Sequence, residues 1–220
     1  IYLGLLNDYT GPFGPYGIPL ETGQRGFWLW ANQSGGIGDY SVAIVEGYDT
    51  QYNPQKHLEG YKAQRDEVAA LAMSLGTPQT QFILDDMDAD NMVAAPMSWY
   101  SGWSYKSSDR GLVIEFGAAY CADGMNAVDW AMANVPVDIK TIGVMGYAGD
   151  YGGDYAAGIR VAAEANGLEV AWEYIVPSTE FDVAQAVGLM VTKPVDAYFP
   201  AIGPTSVSYT HLRAHETSTD

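Results

Sequence analysis

Three groups of side chains in this sequence are of the right type and spacing to hold a small polar molecule. The first is Thr77-Pro-Gln79-Thr80, following Gly76 and opening a helical pattern. Hydroxyls and free amides at a helix N-terminus suit a carboxylate, each contact contributing roughly 0.3–1 kcal/mol when exposed and up to about 2 kcal/mol when partly buried. The same residues also read as an ordinary helix cap. The second group is Pro96-Met-Ser98-Trp99-Tyr-Ser-Gly-Trp103, the densest aromatic cluster in the chain. Such rings clamp an apolar side chain or cover a cation, and they equally serve as packing. The third is the loop from Asn7 to Gly17, in which Pro12 and Pro15 stiffen the backbone and present Phe13 and Tyr16, or simply make a rigid connection. Asp49, in Tyr48-Asp-Thr-Gln-Tyr52, has the charge to bind an ammonium, although turn chemistry favours aspartate there for structural reasons. Tyr151, in Tyr147-Ala-Gly-Asp-Tyr151, follows a later strand pattern.

Other chemistries fare worse. The glycines at 11, 14 and 17 do not make a phosphate cradle, because the two prolines remove N–H donors and no Gly-Lys-Ser/Thr follows. No Gly-x-Ser-x-Gly occurs, and Cys121 and His57 fall on separate predicted helices, so neither a nucleophile–base pair nor a catalytic role is expected. The run Asp85, Asp86, Asp88, Asp90 reads as a solvated helix end rather than a cation site. No metal and no cofactor are expected.

The candidates must be positioned by strands alternating with helices from the first residue, the pattern of βα units feeding parallel sheets. Strands are predicted over residues 2–6, 42–46, 92–95, 112–116, 141–145, 169–176 and 197–199. Helices are predicted over 19–33, ending at Gly35-Gly36; from Asn53-Pro54 to 75, with Leu58, Tyr61, Val68, Ala72 and Leu75 on one face; and over 79–90. Further helices follow over 120–133, with Met125, Val128, Trp130 and Met132 packing, over 153–165 ending at Gly167, and over 180–191. Thr179-x-x-Asp182 reads as a capping box for the last of these, whose face is Phe181, Ala184, Gly188 and Val191. Residues 101–110 read as a polar loop. Two successive βα series suggest two lobes, 1–116 and 117–206, facing each other across a cleft, with ligands expected beyond the carboxyl ends of the strands.

Composition narrows the partners. Acidic residues outnumber basic ones 27 to 10, for a formal charge of -17, which repels nucleic-acid backbones and anionic lipid surfaces. No apolar run is long enough for a membrane span. The single cysteine, Cys121, cannot form an internal disulfide. The opening Ile-Tyr-Leu-Gly-Leu-Leu reads as a core strand already at residue 1, so the natural start is expected upstream, after an export signal that is removed or not included. Residues 207–220 break every preceding pattern. They hold two of the three histidines, His211 and His215, and resemble a translated sequencing adapter. They are set aside as a non-native or disordered tail, and the natural protein is expected to continue beyond Ser206.

Against this background, Asn7-Asp-Tyr-Thr-Gly-Pro-x-x-x-x-Gly17, Gly146-Tyr-x-x-Asp-Tyr-Gly152 with Ala-Ala-Gly158-Ile-Arg-Val-Ala-Ala-Glu164, and the Phe181 helix before Pro194-Val-Asp-Ala-Tyr198 resemble the branched-chain amino-acid type of ABC-transporter solute-binding protein. The resemblance spans residues 1–206. It implies an α/β fold of the type I periplasmic binding protein, a two-lobed Venus flytrap of parallel sheets flanked by helices, here C-terminally incomplete. It also implies a periplasmic or extracellular receptor, free or lipid-anchored, that passes a small-molecule solute to a membrane permease. By the same resemblance, Thr77, Thr80 and Ser98 hold an α-carboxylate while Tyr16 and Tyr151 close over the ligand. Thr77-Pro-Gln-Thr stands where the family has a serine-rich turn, and Ser-Trp-Tyr-Ser-Gly-Trp where it has small residues. The acid for a ligand ammonium is expected beyond Ser206. A sensory ligand-binding domain of a receptor or regulator shares the fold and is the alternative.

Overall fold

The opening run is apolar without alternation because both faces of its strand are covered, as parallel strands require. A computed structural model of the chain describes residues 1–177 and 184–202. It forms two compact units, Ile1–Gly117 and a second beginning at Ala118. The capping box and Phe181 lie outside the described residues, as does the segment after Ile202.

In the first unit, β1 (Tyr2–Asn7) leads into α1 (Gly14–Gln33), followed by β2 (Ala43–Ile44), β3 (Tyr48–Asp49), α2 (Pro54–Gln64) and β4 (Ala70–Leu75). Then come α3 (Thr77–Phe82), α4 (Leu84–Asp90), β5 (Ala94–Met97), a 3-10 turn (Ser101–Ser104) and the short α5 (Lys106–Asp109). The strands are all parallel in the order β2-β1-β4-β5, with β3 also on β1. Leu6, Tyr61, Leu71, Ile83, Met87, Met92 and Ala94 pack on one side of the sheet; Leu5, Met73 and Leu75 form a separate apolar cluster.

Several boundaries differ from those the sequence predicts. Helix α1 starts five residues before the expected 19, with Pro15 rather than Pro19 in its first turn. There a missing N–H is harmless, and Pro19 one turn later leaves only the Pro15 carbonyl without its helical partner. The helix predicted to run to residue 75 ends at Gln64; the Ala-Leu-Ala-Met-Ser-Leu that follows is β4. Those residues have good helix propensity, but the slot between β1 and β5 takes a buried strand, and tertiary pairing outweighs propensity. Met92 precedes β5, which extends to Met97, and residues 101–110 hold two short helical turns rather than a plain loop. The strand predicted at 112–116 is reduced to one bridge, Val113 to Ala94. Pro96 has no N–H to extend a ladder on that side.

The strand predicted at 42–46 is shortened to β2, β3 forms just beyond its predicted end, and Gln64 explains the gap between them. Its buried side-chain amide accepts from the Leu5 N–H (2.8 Å) and donates to the carbonyls of Leu5 (3.3 Å) and Glu46 (2.9 Å). One side chain thus supplies the pairing that the sheet lacks between β2 and β3, at the point where the β1–β4 register also shifts.

The second unit comprises α6 (Tyr120–Asn134), β6 (Thr141–Tyr147), α7 (Asp150–Asn166), β7 (Glu169–Val176), α8 (Ala184–Thr192) and β8 (Ala197–Ala201), with the parallel order β7-β6-β8. Helices α6 and α7 pack so closely that a Cβ on Gly158 would fall 1.9 Å from the Cys121 carbonyl oxygen. The buried face of α6 is Gly124, Val128 and Ala131. Trp130, expected to pack, is 63% exposed, and Met132 is exposed as well. Following the apolar residues alone misplaced the stripe, because glycine and alanine mark the tight contact.

Replacing Gln64 by leucine keeps the volume but strips partners from one N–H and two carbonyls. Gln64→Leu is expected to destabilise the first unit by about 2–4 kcal/mol, read as a lower denaturant midpoint in urea unfolding; an unchanged midpoint would refute the role given to this side chain.

Candidate functional site

Parallel pairing puts the carboxyl ends of β1, β3, β4 and β5 along one edge of the first sheet, and the loops that leave them carry most of the candidates. Gly76 (φ 101°) turns the chain out of β4 in a conformation that suits glycine. A Cβ there would also strike the Gln79 carboxamide, 2.1 Å from Oε1.

Beyond that turn, Thr77 and Ser98 are both buried, and their hydroxyls hydrogen-bond each other across the ends of β4 and β5. Ser98 Oγ also accepts from the Trp103 indole N–H at 2.9 Å. Trp103 is buried, with its ring edge-on to Tyr100 at 5.7 Å and 86°. Gln79 is buried too. Its Nε2 donates to the Tyr52 carbonyl (2.7 Å), while its Oε1 has no hydrogen-bond partner among the described residues. The Tyr52 ring in turn stacks on Phe13, with centroids 4.2 Å apart. Thr77, Ser98 and Trp103 thus form one bonded group and Gln79, Tyr52 and Phe13 another, and neither Trp103 nor Tyr52 is a site residue in the sequence reading.

Thr80 does something different. Its hydroxyl donates to the Gly76 carbonyl (2.8 Å) and bonds Ser74 Oγ (2.7 Å), which bonds His57 Nε2 (2.8 Å). All three side chains are fully buried. This chain of bonds fixes the β4 turn from beneath. Burial pushes the His57 imidazole down to about 3.

Asp49 lies within β3 rather than in a loop, and its carboxylate accepts from the N–H groups of Tyr9 (2.9 Å) and Gln51 (3.2 Å) and the Thr10 hydroxyl (2.6 Å). Burial alone would raise its pKa; the Thr10, Tyr9 and Gln51 hydrogen bonds outweigh it and hold the group below the ordinary carboxylate range. Asp8, which sequence reading passed over, clamps the same loop by accepting from Gly11 (2.6 Å) and Phe13 (2.8 Å) N–H groups. Burial raises its pKa against the pull of those two bonds. Tyr16 sits in the first turn of α1, not in a loop, and is 48% exposed. Trp99 points its ring at Phe116 (5.2 Å).

In the second unit, Tyr151 lies in the first turn of α7, which begins three residues before the predicted start, and its ring meets Tyr120 edge-on at 5.0 Å. The aspartates of α4 are engaged: Arg110 bonds Asp85 and Asp88, and Asp90 accepts from the Tyr61 hydroxyl (2.8 Å) and from Arg65 (3.1 Å). Among the described residues, no group of three or more His, Cys, Asp or Glu is placed to hold a metal ion, and no helix is long and apolar enough to cross a membrane.

Both units are parallel sheets flanked by helices, as in the type I periplasmic binding protein fold. The chain belongs to the periplasmic binding protein family, whose sequence profile matches residues 1–210. No curated protein matches it significantly. Among solved structures it is similar to a fatty acid ABC transporter substrate-binding protein from Thermomonospora curvata, with TM-score 0.86, 28% identity and coverage of 99% of this chain and 55% of that one. It shares its fold with a branched chain amino acid ABC transporter protein from Thermus thermophilus with bound valine, with TM-score 0.80, 15% identity and coverage of 98% and 56%. The solute binding protein from Rhodopseudomonas palustris BisB5 in complex with 3,4-dihydroxy benzoic acid has TM-score 0.78, 18% identity and coverage of 92% and 54%. The chain thus spans little more than half the length of these proteins.

The buried histidine makes a pH prediction. Its folded pKa lies below the usual 6.5 or so, so between about pH 6.5 and about pH 3 the unfolded chain holds a proton that the folded chain does not. His57 therefore lowers stability as pH falls through that window, by about 2 kcal/mol from pH 8 to pH 5. The difference between native and His57→Gln unfolding free energies should shrink by that amount over this range. A pH-independent difference would show that His57 titrates normally.

Proposed function

We propose that this protein binds a small polar solute outside the cytoplasm, an amino acid, an amide or a urea-like molecule, and delivers it to an ABC-transporter permease without chemically altering it. The observation that carries the reading is the Thr77–Ser98 hydroxyl pair at adjacent strand ends, with the unpartnered Gln79 Oε1 two residues along from Thr77. A buried acceptor without a partner is unfavourable by about 1–3 kcal/mol, and a solute N–H relieves it. Hydroxyls beside an amide oxygen complement a molecule that carries an oxygen acceptor and an N–H donor together. Valine and 3,4-dihydroxybenzoic acid, bound by two of the similar proteins, both carry a carboxylate.

In this reading Thr77, Ser98 and Gln79 contact the solute, with Phe13, Tyr16 and Trp99 covering its apolar part. Thr80 and Asp49 hold the loops in place, and Tyr151 is assigned from the family resemblance. The setting is periplasmic or extracellular, with the protein either free or held by a lipid anchor.

Thermal-shift screening against amino acids, their amides, urea and short polyols tests the proposal. A true ligand at 100 times its dissociation constant stabilises by about 2.7 kcal/mol. At least one amino acid or amide is expected to raise the melting temperature, and Thr77→Val to remove most of that rise while leaving the unliganded protein folded. No response across the panel would sink the reading.

A further inference from the structure

Asn166 and Gly167, at the end of α7, form the one Asn-Gly pair in the chain. Such a pair is open to attack by its own backbone. Glycine has no Cβ to obstruct the approach of its nitrogen to the asparagine carboxamide, and it turns through conformations closed to other residues. Gly167 has a φ of 69°, and a Cβ built on it would meet nothing within 4 Å, so there is room for the approach. What opposes it is hydrogen bonding. The Gly167 N–H is spent on the carbonyls of Ala163 and Glu164. Asn166 Nδ2 donates to the Ala162 carbonyl (2.9 Å) and to the Asp129 carboxylate of α6 (2.9 Å). All but the last of these bonds belong to the final turn of α7, and helix ends fray readily. Among the described residues, Asp129 is the one hold on this carboxamide from outside its own helix.

We propose that Asn166 is a deamidation site guarded by Asp129, and that its reaction opens the contact between α6 and α7 at that end. The Gly167 nitrogen bonds to Asn166 Cγ, the Cγ–Nδ2 bond breaks, and ammonia leaves with the proton that the attacking nitrogen gives up. Water then opens the cyclic imide at one carbonyl or the other, leaving aspartate or isoaspartate. Either product puts a carboxylate where the amide donor was, facing the Asp129 carboxylate and the Ala162 carbonyl with no hydrogen to share. The new charge also falls at the carboxyl end of a helix, where negative charge is unfavourable. Isoaspartate in addition lengthens the main chain just before Gly167 and Leu168, whose N–H bonds to the Ala163 carbonyl close the helix.

Ageing the full chain at mildly alkaline pH, with mass spectrometry of the peptide that spans residues 166 and 167, tests this. Asn166 should convert slowly in the native chain, and Asp129→Ala should speed conversion roughly three- to tenfold, the effect of losing one net hydrogen bond. Val128→Ala separates that local effect from general loosening, because it removes buried apolar volume from the same helix but leaves the Asp129 carboxylate in place. It should age near the native rate while folded. A rate in Asp129→Ala no faster than in Val128→Ala overturns the guarding role. The deamidated fraction, separated by anion exchange, should unfold at a lower urea midpoint than the intact one. An equal midpoint overturns the proposal, as does an Asn166 that stays intact in Asp129→Ala over the time in which it converts in the urea-unfolded chain.

Discussion

Parallel pairing of β1 with β4 is the constraint on which the first unit depends. Antiparallel neighbours would send alternate loops to opposite edges; parallel ones send every carboxyl end to the same edge. With Leu6 beside Ser74, and Leu75 beside Met97 on the other flank, the chain leaves β1, β4 and β5 nearly in step. Thr77 and Ser98, 21 residues apart in sequence, then meet without further instruction. Register is the reason: a slip of one residue would turn Ser74 away from His57 and take the support from beneath the β4 turn.

The polar groups under that edge are of two kinds. His57, Ser74, Thr80, Gln64, Asp8 and Asp49 bond mainly to backbone or to one another and shape the loops. Thr77, Ser98 and Gln79 keep hydrogen-bonding capacity beyond their protein partners. Burial does not separate the two sets, since all are buried or nearly so except the partly exposed Asp49. The direction of the bonds does: the first set is turned toward backbone and its own members, although His57 Nδ1, like Gln79 Oε1, has no partner among the described residues.

The sequence carried most of the order of elements and the strand-end position of Ser98, because apolar runs, Asn53-Pro54 and Gly167 are local signals. It missed β4 because Ala-Leu-Ala-Met-Ser-Leu is strand only by virtue of its neighbours. It missed Gln64 and Trp103 for a related reason. A glutamine at a helix end and a tryptophan in an aromatic cluster look ordinary until a distant backbone or hydroxyl is placed beside them. Tyr16 was legible as a residue near the loop but not as a helix residue, since the rule that proline opens a helix allowed either Pro15 or Pro19 to be the start.

Neutral donors at the strand ends also fit the charge of the molecule. At -17 the chain repels anions at long range. None of the hydrogen bonds formed by the Thr77, Ser98 or Gln79 side chains comes from a lysine or arginine. A carboxylate taken up as proposed would gain from short, directed O–H bonds rather than from a general field. Such bonds act only within hydrogen-bond reach and only when correctly aimed, so under the proposed function orientation would add to the strength that an ionised acceptor gives each bond. A site built this way has to fix its hydroxyl directions before the solute arrives, which ties recognition to the residues behind the hydroxyls as firmly as to the hydroxyls themselves.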